Sequence, residues 1–295
     1  MKKLLALVAA LIAVAGSAAT AAATQKVDHV VYIGLDGWAS HTYADSDMPF
    51  VKGLADRGAM TLEKRAVLPS ASAINWASLF MGVGPEVHGY LHWGTQSPEI
   101  TLPTGADATN GFFPTVFQVA RQQHPDADIA AFYEWDGVKY TIDTLAFTHH
   151  EQADLDHITG KAAEYIKAHK PMLTVVAYDR PDHPGHDNGW GSPEYHDMMH
   201  RMDSEIAGIF KAIEEAGMAD NTVVIISSDH GGKDKGHGGP TLEEMLSPLI
   251  MVGPGIEPGT VITDMVISPD IAVTMADRLG LKPSPYWRGR PILAD

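Results

Sequence analysis

Apolar runs of strand length recur along the chain, and three of them end in an acid. VDHVVYIGL at 27–35 stops in Asp36-Gly37, and MLTVVAY at 172–178 stops before Asp179 and Asp182. TVVIISS at 222–228 stops in Asp229-His230-Gly231-Gly232, and a shorter run at 249–252 precedes Gly253-Pro254-Gly255. Runs this apolar and β-branched predict strands buried on both faces, as parallel sheets require. Between them the period changes to 3.6. Residues 157–169 place Ile158, Ala162, Tyr165 and Ile166 on one side and end at Lys170-Pro171. Residues 193–216 carry Met199, Met202, Ile206, Ile209, Phe210 and Ile213 at helical spacing, a methionine-containing stripe that reads as core. Ser268-Pro269-Asp270 offers a helix start and Gly280 a stop. Strand–helix alternation predicts an α/β fold: a mostly parallel central sheet with helices on both faces, three layers in all.

The first segment reads as an address. Lys2 and Lys3, the apolar run at 4–15 and the small residues at 16–23 have the form of a secretory signal peptide, with 19–21 and 21–23 both fitting Ala-x-Ala cleavage. The apolar run is short of the roughly twenty residues a membrane span needs. No later run is long or apolar enough to span. The expectation is removal of 1–23 and a single domain at 24–295, periplasmic or secreted. The least regular stretch, 95–114, reads as a surface excursion within that domain.

Charge and composition narrow the classes. The chain has 21 Lys+Arg against 37 Asp+Glu, a net charge of −16. Without Lys2 and Lys3 the remainder is more acidic still. That balance argues against a nucleic-acid coat or a binder of anionic membranes, which need clustered cations. No cysteine is present, which excludes disulfides, thiolate metal sites and cysteine nucleophiles. Fifteen histidines in 295 residues ask for an explanation.

They cluster with the acids. Ligands in open α/β sheets bind beyond the carboxyl ends of the strands, so Asp36, Asp179 or Asp182, and Asp229 would converge there. Crowded carboxylates repel and need compensating positive charge. The sequence supplies His183 and His186 after one strand, and His230 and His237 after another. Carboxylate plus neutral imidazole without sulfur suits zinc and is tolerable to manganese or iron. The spacings Asp182-x3-His186 and Asp229-His230-x6-His237 fall in glycine-rich stretches that read as loops. For a nucleophile, LPSASAINWASLFMG at 68–82 places Ser72 as the cap of a helix over 73–81, where free N–H groups favour an alkoxide or a phosphate oxygen. Ser70 competes with it on these grounds.

LDGW at 35–38, SASAINWASLFMGVGPEVHG at 70–89, PDHPGH at 181–186 and SSDHGGKDKGHGG at 227–239 together resemble the alkaline phosphatase superfamily, in its nucleotide pyrophosphatase/phosphodiesterase branch. The resemblance implies two zinc ions. Asp36, Ser72, Asp229 and His230 would hold one; Asp182, His186 and His237 would hold the other. It implies Ser72 as a nucleophile that becomes phosphoserine, and Asn75 as a contact to a non-bridging phosphate oxygen. It prefers Asp182 to Asp179 and leaves His183, His88 and His92 without a ligand role. His186 and His237 would turn their second ring nitrogen to a carboxylate or carbonyl partner. Two departures stand out: the branch usually has Thr at the position of Ser72, and the chain is short for the superfamily. The Pro and Arg of the sulfatase C/S-x-P-x-R motif are missing from 70–76. The implied substrate is a small phosphate ester, including nucleotides. Asn75-Trp76 in place of a cation beside the nucleophile favours the single charge of a diester, with Tyr90, His92, Trp93, Tyr133, Trp135 and Trp190 available to stack on a base or aryl group. The alternatives are a phosphomonoesterase or phosphonate hydrolase of the same superfamily, and a non-catalytic zinc-binding protein, which would have no use for Ser72.

Overall fold

A computed structural model describes residues 25–103 and 111–294. The leader expectation falls on residues outside this set, as does part of the excursion at 95–114. The described strands are β1 (His29–Leu35), β2 (Ala59–Arg65), β3 (Ile129–Tyr133), β4 (His149–Gln152), β5 (Leu173–Tyr178), β6 (Thr222–Ser228), β7 (Leu246–Val252) and β8 (Thr260–Val261). They form one sheet in the order β4-β3-β5-β1-β6-β7-β2-β8. All neighbours are parallel except those of β7, which runs against β6 and β2. The described helices are α1 (Pro49–Asp56), α2 (Ser72–Met81), α3 (Pro85–His88), α4 (Val116–Gln123), α5 (Ile158–His169), α6 (Asp182–Asn188), α7 (Pro193–Glu215), α8 (Leu242–Met245) and α9 (Asp270–Arg278).

The sheet is buried on both faces, and its side chains alternate between two cores. Val30 and Tyr32 of β1 join the core built with α2, α4 and α9, whereas Val31, Ile33 and Leu35 join the one built with α1, α5 and α7. Met199 and Met202 of α7 are fully buried in the second core. The mostly parallel three-layer fold expected from the alternation is the fold observed.

The edges differ from expectation. β7 starts at Leu246, three residues earlier than its apolar run, and is antiparallel. β2, β3, β4 and β8 carry weaker signals: β2 reads AMTLEKR and β4 reads HHEQ, half exposed at the sheet edge. None of this moves the centre. β5, β1 and β6 lie side by side, with Leu35 in register with both Tyr178 and Ser228. The residues that follow, Asp36, Asp179 and Asp229, therefore leave the sheet at one level of one rim.

Candidate active site and metal centre

Two groups of side chains meet at that rim. Asp36, Asp229 and His230 form one and Asp182, His186 and His237 the other, the ligand atoms of each lying within 4.8 Å of one another. The groups adjoin, since the His230 and His237 rings stack at 3.9 Å. In the first group Asp36 Oδ1 is 3.4 Å from His230 Nε2, and Asp229 Oδ2 is 3.3 Å from the same nitrogen. Trp76 of α2 donates its indole N–H to Asp36 Oδ2 at 3.0 Å. Asp229 Oδ1 accepts from the backbone N–H of Gly37 (3.2 Å) and of His230 (2.9 Å). Gly37 has φ +71°, and a Cβ there would fall 2.8 Å from Asp182 Oδ1, so the turn after β1 requires glycine.

The second group stands on α6, not in a loop as the glycine-rich spacing suggested. Asp182 opens the helix and His186 follows one turn later, Nε2 3.4 Å from Asp182 Oδ2. His237 brings Nε2 to 3.7 Å from Asp182 Oδ1. Asp179 turns aside: its Oδ2 pairs with His183 Nε2 at 2.7 Å.

Ser72 is the first residue of α2, and Ala71 occupies the cap position expected for it. The Ser72 hydroxyl is thereby free of capping and lies 3.2 Å from His230 Nε2 and 3.4 Å from Asp36 Oδ1. Ser70 is engaged otherwise. Its hydroxyl donates to Gly239 O (2.7 Å) and accepts from Gly238 N–H (3.1 Å).

Each imidazole has a backbone carbonyl on its Nδ1: His230 faces Gly231 O at 2.7 Å, His237 faces Ser70 O and His186 faces Lys235 O, both at 3.0 Å. A carbonyl only accepts, so Nδ1 carries the hydrogen and Nε2 presents its lone pair to the site. Burial drives the Asp36 carboxyl well above the usual range, reinforced by the Asp229 and Asp182 charges. Burial also carries Asp182 and Asp229 up to about 7. It pushes His230 down to about 3 and His237 to about 2. One oxygen in each group, Asp182 Oδ1 and Asp229 Oδ2, is buried with no hydrogen-bond partner. Orphaned carboxylate oxygens beside inward lone pairs, with no sulfur, fit a hard-to-borderline divalent cation in each group.

Asn75 corrects an expectation. It is fully buried, and its Oδ1 accepts from Val67 N–H (2.7 Å) and Ser268 Oγ (3.2 Å). Its Nδ2 faces the carbonyls of Val67, Pro69 and Ala71 at 3.1–3.2 Å. The amide braces the 67–71 turn leading to Ser72 and has no atom left for a phosphate. Asn75→Ala should cost about 1–3 kcal/mol of stability through the backbone groups it strands, measurable by urea unfolding.

A cavity of about 620 Å³ is lined by Ser72, Asp182, His186 and His237 together with Ile74, Leu91, Trp93 and Trp135. Ala73 N–H donates to Trp93 O at 3.0 Å, tying that lining residue to the start of α2. Of the aromatics singled out from sequence, His92, Trp93 and Trp135 line it. Tyr90 and Tyr133 are instead packed in the core, and Trp190 donates to Gly37 O at 2.8 Å. His88, buried against Ser78 Oγ at 2.9 Å, has a packing role. Lys64, which stands directly behind the first group, carries no sequence signal, and Trp76, read from sequence as a neutral neighbour of the nucleophile, instead holds Asp36. Burial lowers the Lys64 ammonium to about 7 against the pull of Asp229 and Asp270.

Known proteins share this fold. The solved murine ectonucleotide pyrophosphatase/phosphodiesterase 5, in an inactive form complexed with AMP, has the same fold: TM-score 0.72 at 14% identity, over 88% of this chain and 96% of that one. The phosphonate monoester hydrolase of Agrobacterium radiobacter gives TM-score 0.69 at 15% identity, over 90% and 76%. In sequence, the chain is 22% identical over 237 residues to ectonucleotide pyrophosphatase/phosphodiesterase family member 7 of Mus musculus, covering 75% of this chain and 53% of that protein. It is 30% identical over 101 residues to the extracellular sulfatase SULF-1 homolog of Drosophila melanogaster, 32% of this chain and 9% of that one. The chain spans a fifth or less of the length of the curated sulfatases and GPI ethanolamine phosphate transferases it matches. Residues 30–247 match the family model for type I phosphodiesterase / nucleotide pyrophosphatase. The chain belongs to that family, within the alkaline phosphatase superfamily.

Proposed function

We propose that this protein is an exported hydrolase of phosphodiester or nucleotide pyrophosphate bonds, with Ser72 as nucleophile and two zinc ions as cofactors. One observation carries the reading: the Ser72 hydroxyl stands 3.2 Å from His230 Nε2 and 3.4 Å from Asp36 Oδ1, beside two ligand groups that each keep an orphaned carboxylate oxygen. Asp36, Asp229 and His230 with Ser72 would hold one cation, and Asp182, His186 and His237 the other. When bound, the cations offset the carboxylates, favour the alkoxide of Ser72 and shield the phosphoryl oxygens. Manganese or iron would satisfy the same donors.

The chain's own groups do the rest. Ser72 Oγ bonds to phosphorus as the bond to the leaving alcohol or phosphate breaks, giving a seryl phosphodiester that keeps the substrate's other ester group. Water then bonds to phosphorus as the bond to Ser72 Oγ breaks, which releases the monoester and regenerates the hydroxyl. The first turn of α2 turns its positive end toward the charge on phosphorus. Trp76 and the backbone donors on Asp229 Oδ1 keep the carboxylates from drifting, which sustains the alignment that displacement needs.

The cavity supports a diester. No Lys or Arg among the described residues lines it, so a dianionic monoester would find little positive charge beyond the cations. Trp93 and Trp135 offer flat faces to a base or aryl leaving group. The AMP held by the murine relative is consistent with such a guest. The leader pattern at 1–23 supports a periplasmic or secreted location for a domain at 24–295.

A rate panel tests the substrate class. The kcat/KM for an aryl phosphodiester or an aryl ester of a nucleoside monophosphate should exceed that for the aryl phosphomonoester by at least about tenfold, a barrier difference of about 1.4 kcal/mol. A dominant rate with the monoester, an aryl phosphonate or an aryl sulfate would assign the site to another activity of the superfamily.

A further inference from the structure

Behind the first ligand group lies a lysine that the chemistry above does not use. Lys64 of β2 is fully buried, with Nζ 2.5 Å from Ser228 O and 3.4 Å from Asp229 O. The ladder between β6 and β7 ends where Ser227 faces Leu249, so on the β7 side the chain has no ladder partner from Ser228 onward, although Ser228 still faces Leu35 of β1 and the segment stays buried. Backbone carbonyls in that position need a donor from elsewhere. The carbonyl of His230 takes the Ser228 hydroxyl at 2.7 Å. The carbonyl of Ser228 takes Lys64, with the Ser247 hydroxyl, opposite Lys64 on β7, at the long distance of 3.5 Å.

We infer that Lys64 is a positioning residue: its grip on the Ser228 and Asp229 carbonyls fixes the turn that aims the Asp229 carboxylate and the His230 imidazole at one cation. The inference rests on the two-cation reading above. It has an asymmetric consequence. The peptide Lys64 holds carries Asp229 and leads into His230, both in the first group. The second group stands on α6 and on the loop bearing His237, oriented by Lys235 O and Ser70 O, and Lys64 bonds to neither. Loss of the lysine should therefore loosen one cation and spare the other.

The test is zinc titration of the metal-free full chain against a chromophoric chelator, with far-UV circular dichroism and aryl phosphodiester kinetics on the same samples. The wild type should show two zinc sites. Lys64→Met should weaken one of them about 10- to 100-fold, the range for loss of a group that orients metal ligands, and leave the other unchanged. Its kcat should fall by a similar factor with KM nearly constant. Two sites of wild-type affinity, or two sites weakened alike, would overturn the inference. The chain has no cysteine, so Lys64→Cys is a unique handle. Aminoethylation in denaturant followed by refolding restores an ammonium of nearly lysine length. That should restore the weak site even if Lys64→Met does not fold. Aminoethylated protein that stays unfolded, or folds with a weak first site, would overturn the inference. A wild type with fewer than two sites would instead remove the two-cation reading itself.

Discussion

Ser72→Ala should keep both zinc ions and the wild-type fold while its turnover of an aryl phosphodiester falls by about three orders of magnitude or more. The hydroxyl is at the first position of α2, does not cap the helix, and among the described residues is at hydrogen-bond distance only from Asp36 and His230. Its loss removes the atom that would bond to phosphorus and one donor to the first cation, leaving Asp36, Asp229 and His230 to keep that ion. Ser70→Ala makes the contrast. That hydroxyl holds the 238–239 backbone beside His237, so its loss should act on zinc affinity before it acts on kcat. Zinc content, thermal melting and single-turnover rates on the two variants separate the roles. Unchanged turnover in Ser72→Ala would move the nucleophile or remove covalent catalysis. It would also strengthen the case for a zinc-binding protein without catalytic function.

Removing the metal should abolish turnover, and zinc affinity should depend on pH in a definite direction. In the metal-free protein burial carries Asp182 and Asp229 up to about 7 and holds Asp36 above its usual range. A cation must displace those protons, so Asp182 and Asp229 each weaken binding about tenfold per pH unit below 7, and the raised Asp36 acts in the same direction. His230 and His237, held near 3 and 2, are already neutral and do not compete in that window. Affinity should rise steeply from pH 6 to 7 and flatten above 8, with protons released on binding at pH 6.5, as calorimetry in buffers of different ionisation enthalpy can read. Stability of the metal-free protein should follow a different course. Raised carboxyl values give a contribution that is present below about pH 4 and lost as pH rises toward 7. Depressed imidazole values give one that is present above about 6.5 and lost as pH falls toward 3. The two oppose each other between about pH 4 and 6.5, so metal-free stability should change less there than either set alone would give. Zinc at 100 times its dissociation constant adds about 2.7 kcal/mol per site, seen as a rise in melting temperature. A pH-independent zinc affinity would mean that these carboxylates are not the ligands.

The centre of this fold was legible in the sequence because one physical demand shaped it. β1, β5 and β6 are buried on both faces, so they read as apolar runs, and the acids after Leu35, Tyr178 and Ser228 mark where those runs reach the rim. The weaker strands hide because their signal is not hydrophobic. β2 ends in Glu63-Lys64-Arg65, and only the folded chain turns Lys64 inward to the carbonyls of a strand two places away in the sheet. Asp182 and His186 read as loop residues because Pro184 and Gly185 lie between them. A proline in the first turn of a helix costs no internal hydrogen bond, however, and α6 forms over them. Asn75 shows the opposite limit: its place in the motif was visible, but the direction of its amide is decided by Val67 and Ser268. The motifs point to the residues that the two groups bring together. The groups that surround them, Trp76, Lys64 and the carbonyls of Ser70 and Lys235, come from tertiary structure.

A crystal structure of zinc-loaded protein, with anomalous scattering recorded on both sides of the zinc edge, puts the pairing of these groups with cations to its most direct test. Two adjacent peaks are expected: one contacted by Asp36, Ser72, Asp229 and His230, the other by Asp182, His186 and His237. A lone peak, or peaks remote from these side chains in active protein, would contradict it.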